Sequence, residues 1–233
     1  IFGGTLSSAP ANITIAAQSV TLSNGVSITA STTGNAPAGN IGLVTQQLTM
    51  TPDSAITSNA LSELGGVGKA GAITITGAGS APTTIAGGTV QAQSETSASA
   101  GNITLQAPGD LTILGTNVSV KNTGPGSAGS IDLRAGDNLL VRNSQVSTES
   151  AEASGGDIKL TAPDIIRLVD SRLTSSVQGQ AESNGGNINI DPQLVVIQNS
   201  QLLANANAGA GGNINIAASG AVLIDPNSVL NAM

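Results

Sequence analysis

The chain has 233 residues, of which 39% are hydrophobic and 9% charged, with 30 Gly, one Phe and no His, Cys, Trp or Tyr. That balance excludes a disordered chain, a disulfide framework and a thiolate metal site. The net charge of −7 argues against nucleic acid, whose phosphates need a basic face, and against an anionic membrane surface.

The longest apolar runs, such as Leu194 to Ile197, are far too short to span a bilayer, so no membrane insertion is expected. The chain opens on Ile1 with no basic, apolar, small-residue signal, and is expected to be a piece of something longer.

In chain order, residues 1–11 read as a partial coil. The first full coil starts near 12, with three alternating triplets: Ile13-Thr14-Ile15, Val20-Thr21-Leu22 and Val26-Ser27-Ile28. Alternation of period two over such short runs is the strand signal. The start ANITI belongs to a pattern, small–polar–Ile–x–Ile/Leu. It recurs as GNIGL near 40, GAITI near 72, GNITL near 102, GSIDL near 130, GDIKL near 157, and GNINI near 187 and 213. The steps are 28, 32, 30, 28, 27, 30 and 26 residues. All flanking positions of these first triplets are Ile or Leu. The middle ones are Thr14, Gly42, Thr74, Thr104, Asp132, Lys159, Asn189 and Asn215. One face is therefore expected to be buried and the other wet.

The second and third triplets follow most clearly in two coils. The coil from 102 has Leu111-Thr112-Ile113 and Val118-Ser119-Val120, and the coil from 130 has Leu139-Leu140-Val141 and Val146-Ser147-Thr148. The coil from 72 is irregular. Gly77–Pro82 reads as an insertion at its first corner, and only Ile85 and Val90 are placed. Ser58 to Leu64 (SNALSEL) is expected to form one helical turn. Two corners of each coil are short, and the third carries loops of small flexible residues such as STTGNAPAG and KNTGPGSAG.

Three short strands per repeat of about 29 residues, without a helix between them, predict an all-β, right-handed parallel β-helix, or β-solenoid. The chain is read as a single segment, 1–233, of about eight coils with three short strands each. Handedness follows only the general rule for parallel crossovers. A propeller blade or a leucine-rich repeat would need aromatics or a Leu/Asn pattern that are missing.

Asparagines gather where the chain turns. Asn24, Asn117, Asn143, Asn199 and Asn227 precede the third triplet, with Asp53 and Asp170 at the equivalent place, and Asn40, Asn102, Asn187 and Asn213 precede the first. Asn tolerates left-handed backbone and bonds locally, so these nine are assigned as structural corner residues. Stacked carboxamides can also bond along the rod.

The combination GGNINI, then LVVIQNSQL, then a small-residue loop resembles the filamentous haemagglutinin family, exoproteins of the two-partner secretion pathway of Gram-negative bacteria. The resemblance covers about Asn12 to Val229. It implies a right-handed β-helix, export through an outer-membrane secretion partner, and an extracellular, cell-surface location. The family's secretion domain carries Asn-Pro-Asn motifs, which this sequence lacks, so the resemblance is to a rod segment.

The expected function is a structural and adhesive rod segment of a secreted bacterial exoprotein. Its expected partners are the secretion transporter, surface glycans or proteins of a host or neighbouring cell, and further copies of itself end to end. The alternative is a self-assembling filament subunit, and a distant third is a polysaccharide-binding or -cleaving β-helix. No catalytic residue and no cofactor are assigned, because His and Cys are missing and no aromatic is placed to stack a sugar.

Asp110, Asp137 and Asp164 are the one candidate metal column, for Ca²⁺, although three independent Asx turns explain the same residues. Asp132 and Lys159 read as a surface ion pair of at most about 1 kcal/mol. Gly124–Gly129 matches GxGxxG without a following helix, and GGVGK at 65–69 lacks the residues of a phosphate loop. Thr14, Thr74 and Thr104 resemble an ice-binding ladder, but the column breaks at Gly42, Asp132 and Lys159. Asn12, Asn102 and Asn117 match the glycosylation acceptor pattern and are preferred as corner residues.

Overall fold

The structure is a computed structural model and describes residues 2–4, 10–62, 67–179, 183–207 and 209–233. The described chain is all β, without helix, and winds as a solenoid of about eight coils with three strands per turn. The first strands form one sheet of eight, from Ile13–Ala16 to Ile214–Ile216. The second strands form another eight, from Ser19–Leu22 to Ala221–Ile224. The third strands form a sheet of nine, from Phe2–Gly4 to Val229–Ala232. Every pairing is parallel and joins a strand to its counterpart one coil away.

The register turns each inward position into a column. Ile103 pairs with Ile73 and Ile131, and Leu105 with Ile75 and Leu133. In the second sheet Ile113 lies between Ile85 and Val141. In the third, Val118 lies between Val90 and Val146. All twelve are fully buried. Each contributes roughly 1.5–3 kcal/mol, so the core needs no aromatic: aliphatic chains stack on one another along the axis.

The irregular coil keeps this register across its insertion. Residues 77–82 separate Ile73–Thr76 from Thr83–Ala86, where residues 108–110 suffice one coil later. Thr83 falls into the column of Leu111 and Leu139, and its buried hydroxyl has no partner.

Two sequence expectations are corrected here. The first coil's third strand is Ser27–Thr32, with Ile28, Ala30 and Thr32 inward, whereas Val26 stands outside it at 46% exposure. The register Ile28↔Ile56 sets this, and a slip of one pleat would turn every side chain over. Ser58–Ala60 finish the strand Ala55–Ala60 instead of starting a helical turn, and Glu63 and Leu64 lie outside the described residues.

The glycine corners of the small-residue loops are packed more tightly than their composition suggests. Seven glycines, at 39, 71, 101, 129, 156, 186 and 212, form a column just before the first sheet. A Cβ on any of them would come within 1.8–2.1 Å of a carbonyl oxygen of the preceding coil. Here backbone packs directly on backbone, and Ala38, Ala70 and Ala100 beside them are buried. Smallness at this corner is a packing requirement.

Gly101→Ala is therefore expected to destabilise by about 1–3 kcal/mol through overpacking against the Gly71 carbonyl, seen as a lower melting midpoint by circular dichroism. Gly42→Ala, on an outward strand position with nothing within 4 Å of its Cβ, is expected to leave the midpoint unchanged or raise it.

Candidate functional site

The corner asparagines divide into two mechanisms. Before the first strand, Asn12 Oδ1 accepts the Asn40 N–H at 2.8 Å, and Asn40 Oδ1 accepts the Ala72 N–H at 2.8 Å. Asn102 Oδ1 likewise accepts from Ser130 at 3.0 Å. Asp157 Oδ1 accepts from the backbone and side chain of Asn187, and Asn187 Oδ1 accepts both from Asn213. None of these asparagines has a positive φ. Their role is to receive the backbone N–H of the coil above, which the turning chain leaves outside the strand ladder. This carries the Asn12 and Asn102 side-chain oxygens into the rod's own bonding, as a corner role requires.

Left-handed backbone occurs at the second corner instead, at Asn24 (φ 59°), Asn143 (49°), Asp170 (50°) and Asn199 (46°). Two assigned residues depart from this. Asn117 begins the strand Asn117–Asn122 as an outward residue, and Gly115 (φ 59°) makes that corner. Asn227 lies in a turn without positive φ, because Pro226 adds one residue there, between Asp225 and Ser228. Asp53 also keeps a negative φ, and Gly25 of the coil beneath donates its N–H to the Asp53 carboxylate.

A serine column behind this corner was missed by sequence reasoning. The Thr116 N–H donates to Ser144 Oγ at 3.2 Å, Ser144 N–H to Ser171 Oγ at 3.2 Å, Ser171 N–H to Ser200 Oγ at 3.1 Å and Ser200 N–H to Ser228 Oγ at 3.1 Å. The Ser144, Ser171 and Ser200 hydroxyls also donate two residues back, as Ser144 to the Arg142 carbonyl at 2.7 Å and Ser171 to the Val169 carbonyl at 2.8 Å, whereas Ser228 donates to the Asp225 carboxylate. Ser144, Ser171 and Ser200 are buried. The signal was present: the dipeptide Asn/Asp-Ser recurs at 143–144, 170–171, 199–200 and 227–228.

Over this column lies a shallow groove of about 540 Å³. One wall is Asn143, Asp170 and Asn199, and the other is the outward trio Gln145, Arg172 and Gln201, aligned by strand register. Asn199 Nδ2 donates to Asp170 Oδ1 at 2.7 Å, and Arg172 Nε donates to Thr174 Oγ1 at 3.2 Å. The groove is polar, repeats with the coil, and holds one carboxylate and one guanidinium.

The other candidates do not assemble. Asp110 stands opposite Asn138, whose backbone and side chain both donate to its Oδ1 at 3.0 and 2.9 Å, so it is one residue out of line with Asp137 and Asp164. Among the described residues, no three of His, Cys, Asp and Glu come together to hold a metal. Asp132 is paired in register with Lys159 but bonds Arg134, two residues along its own strand, which raises Arg134 above its ordinary pKa. An inter-coil ion pair is made instead by Lys121 and Glu149, at 3.3 Å and partly exposed.

Thr74 and Thr104 are neighbours, but Gly42 separates them from Thr14. Gly124 and Gly126 pack against the carbonyls of Glu95 and Ala98, where a Cβ would come within 2.4–2.5 Å, so their GxGxxG spacing serves loop stacking. Gly65 and Gly66 of GGVGK lie outside the described residues, and Gly68 packs on the Ala36 carbonyl.

Two carboxylates, the exposed Asp53 and the half-buried Asp225, are held below the ordinary aspartate value of 3.8. The Thr51 hydroxyl lowers Asp53, helped by the backbone N–H groups of Asp53 and Gly25. The Ser228 hydroxyl lowers Asp225, helped by the N–H groups of Asn199, Ser228 and Asn227. Their contribution to stability is complete above 3.8, the unfolded value, and is lost as pH falls through the lower folded values. The melting midpoint is expected to drop as pH falls below 3.8, and the double variant Asp53→Asn, Asp225→Asn to drop less, read by circular dichroism. Ser171→Ala leaves the buried Ser144 N–H without its acceptor and is expected to cost about 1–3 kcal/mol in the same measurement.

Compared with protein-family models, curated proteins and solved structures, the chain matches none.

Proposed function

We propose that this chain is a structural and adhesive rod segment of a secreted, surface-exposed bacterial exoprotein, exported through an outer-membrane partner and without a catalytic role. The carrying observation is the continuous register: three parallel sheets run from the first coil to the last. Such a body resists bending and sets a reach of roughly 40 Å at about 4.8 Å per coil, which suits it to hold a binding surface away from a cell. The resemblance of GGNINI and LVVIQNSQL to the filamentous haemagglutinin family supports the same reading.

A second reading, end-to-end assembly into filaments, is favoured by the last coil. Val222, Ile224 and Leu230 are 42%, 47% and 38% exposed, while their register partners Val195, Ile197 and Leu202 are fully buried. That layer accepts a further coil, whether from a continuation of the chain or from another copy.

Negative-stain electron microscopy separates the two. Discrete short rods at micromolar concentration are the expected result for the rod segment, and long fibres one coil wide would replace it with the filament. Beads coated with the chain are expected to adhere to epithelial or bacterial cells above an albumin-coated control. Adhesion no better than that control would overturn the adhesive part.

A further inference from the structure

The groove at the second corner carries two charges that the fold leaves unpaired. Among the described residues, the ion pairs within 4.0 Å are Lys121–Glu149 and Arg134–Asp132, so neither Asp170 nor Arg172 has an ionic partner. Asp170 uses one oxygen for Asn199, and Arg172 uses Nε for Thr174. The second carboxylate oxygen and the remaining guanidinium N–H groups have no protein partner among the described residues. Above and below them on the same two walls stand carboxamides only: Asn143 and Asn199, Gln145 and Gln201.

We propose that this groove binds a neutral, polyhydroxylated glycan lying along the rod across the coils that start near 130, 157 and 187. A hydroxyl both donates and accepts, so a vicinal diol satisfies Asp170 and Arg172 together. The carboxamides do the same for the flanking sugars. An anionic chain would meet Asp170 and a net charge of −7, and a cationic one would meet Arg172. From Asn143 to Asn199 are two coil steps, about 10 Å, close to the length of a disaccharide. The left-handed backbone at 143, 170 and 199 fixes that wall, which limits the entropy lost on binding. Because the groove is shallow and open to water, each sugar adds little, and affinity grows with the number of rungs engaged.

This site deepens the adhesive reading and rests on it for its biological use. Calorimetric titration of the purified chain with maltohexaose, cellohexaose and mannohexaose tests it, with a hyaluronan hexasaccharide as the anionic probe. At least one neutral hexasaccharide is expected to bind. The double variant Asp170→Asn, Arg172→Gln is expected to weaken it by about tenfold or more. The variant gives this coil the residues its neighbours already carry and keeps a side chain that tolerates left-handed backbone, so its melting curve should match the wild type. Binding of hyaluronan alone, of none of the probes, or equally by the variant overturns the proposal. Neutral glycan binding that depends on the two residues, combined with coated beads that do not adhere, upholds the groove and overturns the adhesive reading alone.

Discussion

Each strand residue lies one strand spacing from its counterpart in the next coil, and that closeness governs the choice of side chain along the rod. A residue is selected as a member of a column. Where the column faces inward, like packs on like, as Ile73, Ile103 and Ile131 do. Where the chain folds back on itself before the first sheet, only a hydrogen fits, and seven coils in succession place glycine there. The same spacing makes stability cooperative along the rod, because no coil covers its own two faces.

Polar groups obey the same rule. A corner interrupts the strand ladder and strands backbone N–H groups that must find an acceptor. In this rod the acceptor comes from the neighbouring coil: a carboxamide or carboxylate oxygen before the first sheet, a hydroxyl before the third. Corner chemistry thus holds the rod together, and the side chains with bonding capacity to spare are those that protrude beyond it. Along the second corner that surface is the paired wall of Asn143, Asp170 and Asn199 against Gln145, Arg172 and Gln201.

The first strands were legible in the sequence because Ile-x-Ile alternation is local and every coil repeats it. The β-helix followed from that period together with two more short strands per turn. Legibility failed where position depends on the coil above or below. Val26-Ser27-Ile28 alternates as well as Ile28-Thr29-Ala30 does, and only pairing with Ile56 chooses between them. Asn117 has the composition of a corner residue, but Gly115 had already turned the chain. The three aspartates share a spacing to the next strand only to within one residue, and one residue is enough to place Asn138 opposite Asp110. The serine column hid behind the more conspicuous asparagines. Arg172 drew no notice because its meaning lies in the glutamines one coil to either side.

The two side-chain ladders run in opposite senses. At the asparagine corner the later coil gives its N–H to the earlier one, as Asn213 does to Asn187. At the serine corner the earlier coil gives its N–H to the later, as Ser171 does to Ser200. The rod therefore has a polarity written into its side chains as well as its strands. A layer added in the same orientation extends both ladders and all three sheets, whereas an inverted layer would set acceptor against acceptor at one corner and donor against donor at the other. A joint that continues both ladders would therefore have to be head to tail.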